Sequence, residues 1–225
     1  MPSYDWRAYQ ERPLSERFPE WALGYGLVRE FGRAASSLTL LLDSLVQARS
    51  SAAGAAKRPQ RPRVFVSHRA ADVVKAERLA WLADQAGFEF WLDVLDSNLL
   101  SLGRAAAAGV VSPATQAQLV ACVIEMALLN STHVLVAMTP NTSGSAWVPY
   151  ELGRAKDAAV YATQASAWVS TTPPVPSLPE YLLLIPLNYS EPAVDAWFAL
   201  EYQNWCGSPS LRAAGGWRGT VPPPL

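Results

Sequence analysis

The stretch that decides the fold runs from His133 to Arg154: H-V-L-V-A-M-T-P (133–140), N-T-S-G-S (141–145), A-W-V-P-Y-E-L-G-R (146–154). Val134, Leu135, Val136, Ala137 and Met138 leave a strand with no polar face, so it belongs inside a sheet covered on both sides. A short polar loop follows. Pro149 is tolerated only in a first helical turn, which sets a helix start near Trp147 or Val148. Glu151, in that opening turn, then stands at the C-terminal mouth of a sheet strand, where open α/β folds bind their ligands. The plainer alternative is a carboxylate that only complements the helix dipole.

Upstream, V-F-V-S (64–67) is a short β-branched and aromatic run. Asp72 is placed to cap a helix over 73–86, with Val73, Ala76, Leu79, Ala80 and Ala83 on one face. Gly87 ends it, and F-E-F-W-L-D (88–93) reads as a second strand, with Trp91 in the core. Residues 94–115 show no clear periodicity, and Pro113 interrupts them. A helix is expected over 116–129, then the strand at 133–139 and a helix over about 148–161. Residues 163–180, rich in Ser, Thr and Pro, read as a loop, and Y-L-L-L-I-P-L (181–187) as a fully apolar strand. Pro192 opens a last helix through Trp205. Alternating units of this length predict a parallel sheet with helices on both faces.

Before this domain, residues 20–49 carry Val28, Phe31, Ala35, Leu38, Leu41, Leu42, Leu45 and Val46 at three- and four-residue steps, the stripe of an amphipathic helix. S-S-A-A-G-A-A-K-R-P-Q-R-P (50–62) reads as a linker. The expected division is therefore a helical extension and Pro/Ala-rich linker over 1–62, the α/β domain over 63–207, and a Pro/Gly-rich tail over 208–225.

Half of the 225 residues are apolar, enough for one core and an extension. The net charge of −1 gives no argument for nucleic acid or an anionic membrane. Two cysteines (Cys122, Cys206) and two histidines (His68, His133) are too few and scattered to predict a metal site. Without a signal-peptide pattern or a spanning apolar run, a cytoplasmic location is expected. The sequons at Asn130, Asn141 and Asn188 then count as chance.

With these elements placed, residues 63–206 resemble the Toll/interleukin-1 receptor (TIR) family, in particular its bacterial members. V-F-V-S-H-R-A-A-D (64–72) is similar to the family's first strand and turn, and G-F-E-F-W-L-D (87–93) to the strand that feeds its BB loop. L-L-N-S-T-H-V-L-V-A-M-T-P (128–140) and S-A-W-V-P-Y-E-L (145–152) look like its later strand and S-x-W-x-x-x-E segment. The resemblance implies a flavodoxin-like TIR fold, a central parallel sheet with helices on both faces. It accounts for no part of residues 1–62.

TIR domains divide into assembly scaffolds and enzymes that cleave NAD at the nicotinamide–ribose bond, so fold alone does not fix function. The enzyme branch is expected here because of Glu151. Nicotinamide departs as a neutral base, so no general acid is required, unlike an alkoxide-releasing glycosidase with its two carboxylates. One carboxylate can stabilise the positive charge growing on the ribose. A first-turn position lowers its expected pKa through the helix dipole. By resemblance, Ser67, His68 and Arg69 in the first turn, Asp93 after the second strand, and Trp147 become substrate-binding candidates around catalytic Glu151. Arg69 is expected to meet a phosphate or ribose, and Trp147 to stack on nicotinamide or to pack helix on sheet.

NAD enters as substrate, with no further cofactor and no metal. The resemblance implies hydrolysis to ADP-ribose, or a cyclic or conjugated ADP-ribose signal read by a downstream effector in antiphage defence. It also implies a homo-oligomer, through TIR–TIR contacts completing the NAD site and through the 20–49 stripe. The alternatives are a non-catalytic interaction module, with Glu151 as a capping residue, and a nucleoside deoxyribosyltransferase-like enzyme, with Glu as a covalent nucleophile. A receiver domain is excluded, since Ser67-His68-Arg69 stands where it needs an acidic pair.

Overall fold

The computed structural model of the protein describes residues 61–109, 112–155, 164–207 and 221–225. The expected 20–49 helix lies outside them, as does the last part of the helix expected to reach 161. Strands β1 (Arg63–Ser67), β2 (Glu89–Trp91), β3 (His133–Met138), β4 (Gln164–Val169) and β5 (Leu187–Asn188) form one parallel sheet in the order β2-β1-β3-β4-β5. The α-helices of the described residues are α1 (Val73–Gln85), α2 (Ser97–Ala107), α3 (Pro113–Asn130), α4 (Trp147–Ala155) and α5 (Glu191–Cys206). None is long and apolar enough to cross a membrane.

Strand alternation distributes the core. Val64, Val66, Leu135 and Ala137 point to one face, where Ala76, Leu79 and Ala83 of α1 and Val194, Trp197 and Phe198 of α5 cover them. Phe65, Val134, Val136 and Met138 point to the other, against Val123, Ile124 and Ala127 of α3 and Val148 and Leu152 of α4. Both faces are covered by apolar side chains, as the apolar run 134–138 of β3 requires. Phe88, Phe90 and Leu92 join the first layer and Trp91 the second, so β2 divides its side chains between two cores. Gly87 makes the entry into β2 possible: its φ is +92°, and a Cβ there would stand 2.7 Å from the Tyr202 ring.

Several expectations need correction. Residues 164–169, read as loop, form β4. Its Ala165, Ser166 and Ala167 have little β propensity, but burial between β3 and β5 overrides this. Ser166 is satisfied there by donating to Pro186 O (3.0 Å) and accepting from Asn188 Nδ2 (2.7 Å). Conversely, Y-L-L-L-I-P-L is not a strand. Glu180–Leu184 is a 3-10 turn with Leu183 and Leu184 exposed, and β5 holds only Leu187–Asn188. Pro186 cannot donate to a ladder, so the strand starts after it. The unreadable 94–115 contains a 3-10 turn (Asp93–Leu95), α2, and the start of α3 at Pro113.

Asp72 does not cap α1 through its side chain. Its buried carboxylate instead accepts from Thr139 Oγ1 (2.7 Å) and Asn141 Nδ2 (3.0 Å). That bond set ties the loop after β1 to the loop after β3. The second loop is fixed internally too: Thr142 Oγ1 accepts from Thr139 N and donates to Ala137 O, both at 3.0 Å. The two loops that present candidate residues are thus braced against each other.

Candidate active site

At the C-terminal end of β1, Ser67 is buried and its hydroxyl donates to Glu151 Oε2 at 2.5 Å. Glu151 is buried as well, 6 % exposed. With Phe65, Val66, His68, Trp91, Asp93 and Ile124, the pair lines a cleft of about 10 Å³, room for roughly one water. Each element supplies what its geometry allows: β1 ends here, β2 delivers Trp91 and the turn after it Asp93, and α3 and α4 close the floor.

Glu151 is the fifth residue of α4, so it lies in the second turn rather than the first. The helix dipole acts mainly within the first turn. Burial decides instead, and pushes the Glu151 carboxyl up to about 7; the Ser67 hydroxyl opposes this, and the negative charge of Asp93 adds to it. The expected lowering by the dipole is therefore overturned. Desolvation penalises the charged form, and one hydroxyl donor does not restore it.

His68 lies against the same cleft with its side chain 2 % exposed. Its Nδ1 is 3.3 Å from Val66 O. Its Nε2 is buried without a hydrogen-bond partner, 3.4 Å from Asp93 Oδ1. Asp93 also accepts from Val94 N at 2.6 Å, so it starts the 3-10 turn while keeping one side on the cleft. Ser67, His68, Asp93 and Glu151 are brought together. Arg69 and Trp147 are not: Arg69 is exposed, and its side chain makes no hydrogen bond or ion pair among the described residues. Trp147 is 41 % exposed and stands edge-on to Tyr150, at 5.6 Å between rings.

Trp91 is the core residue expected of it, stacked on Phe65 at 4.6 Å, but it also walls the cleft. Its indole N–H donates to Asp96 Oδ2 at 2.9 Å, and Asp96 Oδ1 accepts from Leu99 N at 3.3 Å in the first turn of α2. Sequence reasoning missed Asp96, although a buried Trp requires an N–H acceptor. It also missed the clamp beside Glu151. Arg154 donates twice to buried Glu125 of α3, each at 2.8 Å, and the Tyr150 hydroxyl donates to the same carboxylate. Burial, followed by that bond to Glu125, pushes the Tyr150 phenol up to about 12. Spacings 150 and 154 on one helical face were the available signal.

In comparisons with known proteins, no protein-family model, no curated protein and no solved structure matched the chain.

Proposed function

We propose that the chain is a TIR-type enzyme that cleaves the nicotinamide–ribose bond of NAD, with Glu151 as the catalytic carboxylate. The observation that carries this reading is the buried Glu151, held by Ser67 at the C-terminal mouth of a parallel sheet. A carboxylate kept short of solvent is poorly neutralised by water. A pyridinium brought beside it supplies the missing countercharge and favours its ionised form. As the C1′–N bond breaks, both electrons leave on the nicotinamide nitrogen, and positive charge moves onto the ribose next to Glu151. Water then adds to C1′ and loses a proton, giving ADP-ribose; an adenine nitrogen in its place gives a cyclic product.

His68 Nε2 and Ser67 offer polar contacts for the ribose, and the exposed Arg69 suits a phosphate. The cleft must open for this, because one water's space does not admit a nicotinamide ribose. The outward step falls to the Asp93–Leu95 turn and His68, which meet at 3.4 Å. Contact with a second copy is the proposed trigger, so specific activity should rise with protein concentration while light scattering follows assembly; constant activity across that range would remove the trigger.

The closed cleft favours one other reading, a non-catalytic interaction module. Incubation of concentrated protein with NAD, with chromatography for free nicotinamide, separates them: release that disappears in Glu151→Gln supports the enzyme, and no release supports the module. A parallel incubation with a deoxynucleoside tests deoxyribosyl transfer.

A further inference from the structure

On the sheet face away from the cleft, the segment V-P-P-P-L (Val221–Leu225) lies against α1 and α5. Arg78 of α1 donates from Nη1 to Pro222 O at 3.0 Å. Glu191, at the start of α5, accepts from Leu225 N at 2.7 Å through Oε1. The same two side chains hold each other, Nε to Oε1 at 2.9 Å and Nη2 to Oε2 at 2.7 Å. The Arg78 guanidinium also lies over the Trp81 ring, 4.2 Å from its centre. Pro222 is buried, and Leu225 packs at the margin of the core formed by α1 and α5.

These contacts match a particular backbone. Prolines 222–224 have no N–H, so Leu225 carries the first donor after Val221, and that donor is the one Glu191 receives. Three successive prolines favour the polyproline II conformation, with about three residues per turn, so positions 222 and 225 fall on the same side. One fixed ion pair thus reads a carbonyl and the next available N–H of a proline-rich turn. The groove also continues past the segment: Arg78, Trp81, Leu82, Gln85, Glu191, Pro192 and Asp195 line a further cavity of about 350 Å³.

We infer that the groove between α1 and α5 is a docking site for an extended proline-rich peptide, occupied and gated by the chain's own Val221–Leu225. Aromatic-lined grooves bind polyproline II segments at low entropic cost, and Trp81, stacked under Arg78, lines the cavity beside the pre-formed Arg–Glu pair. A partner with a longer proline-rich run gains the additional cavity and displaces the tail. A shorter one does not.

The test uses the full chain with Leu225→Asp, which removes the apolar contact and sets a like charge beside Glu191. A capped fluorescent peptide R-G-T-V-P-P-P-L, matching residues 218–225, is titrated by anisotropy into this variant and into the wild-type chain. The expected result is saturable one-to-one binding to the variant, at least tenfold tighter than to wild type, abolished when Arg78→Lys is added. No binding to a variant with wild-type circular dichroism overturns the proposal, as does equal binding to both chains or to a scrambled peptide. Should Leu225→Asp not fold, amide exchange of Leu225 in the wild-type chain decides: protection supports the docked segment, and exchange at the free-peptide rate overturns it.

Discussion

Ser67, the last residue of β1, and Glu151, in the second turn of α4, meet in a 2.5 Å hydrogen bond between buried side chains. The bond is one of the few interactions favouring the charged form of a carboxyl that burial pushes to about 7. A fold selected for stability alone gains by replacing such a group. Its presence at a sheet mouth is the reason the proposed function rests on Glu151.

Glu151→Gln should abolish nicotinamide release while changing how stability depends on pH. Burial holds the folded-state pKa above the group's ordinary value of 4.5, so the folded protein binds the extra proton. The contribution of this carboxyl to stability is therefore full below about 4.5 and is lost as pH rises through about 7. The glutamine does not titrate, so wild type should lose on the order of 2–3 kcal/mol relative to the variant between pH 5 and 8. Asp84, which burial pushes to about 6, titrates in both proteins and cancels. Urea melts across this range make the comparison. A parallel pair of stability curves would show that Glu151 is not the buried acid described.

The pH profile of NAD cleavage offers a test with two opposite signs. If the ionised carboxylate acts, kcat/KM rises with pH and levels off above about 7. Ser67→Ala removes a donor that lowers the Glu151 pKa, so its rising limb should move to higher pH. Asp93→Asn removes a neighbouring negative charge and should move it lower. Shifts in the same direction, or none, would disconnect these residues from the titrating group.

Trp91→Phe should destabilise the fold by about 1–3 kcal/mol, because it strips an N–H from a fully buried carboxylate. Asp96 keeps the Leu99 N–H at 3.3 Å, but loses the stronger contact at 2.9 Å. The ring contact with Phe65 remains available in the variant, and the cavity left by the missing part of the indole adds to the loss. Chemical denaturation measures the difference, and a change under about 0.5 kcal/mol, the usual range of neutral substitutions, would mean that Asp96 finds another donor.

What the sequence disclosed followed from how local its signals were. β3 was legible because five apolar residues without a polar face admit one environment. Ser67, His68, Asp93 and Glu151 were grouped through the family resemblance, and parallel strands that deliver their C-terminal ends to one edge account for their meeting. β4 was hidden, since Ala165, Ser166 and Ala167 signal neither period nor propensity and are strand only by virtue of their neighbours. The Y-L-L-L-I-P-L run misled because apolarity was weighed above Pro186. The Glu151 pKa was misjudged for a similar reason: the dipole is readable from helix position, whereas burial depends on Phe65, Trp91 and Ile124, which come from three other elements.

Arg69 differs from the cleft residues in lying exposed, directly after His68. On the proposed function, an exposed guanidinium two residues past Ser67 is placed to meet a phosphate of the dinucleotide and not the glycosidic bond at Glu151. It then binds ground state and transition state alike, and such a contact acts on KM with little effect on kcat. Arg69→Ala should therefore raise the KM for NAD several-fold to about tenfold, the worth of one solvent-exposed charge-assisted contact. Stability should stay within about 0.5 kcal/mol of wild type. Initial rates over a range of NAD concentrations measure both constants; a fall in kcat at unchanged KM would move Arg69 into the chemical step.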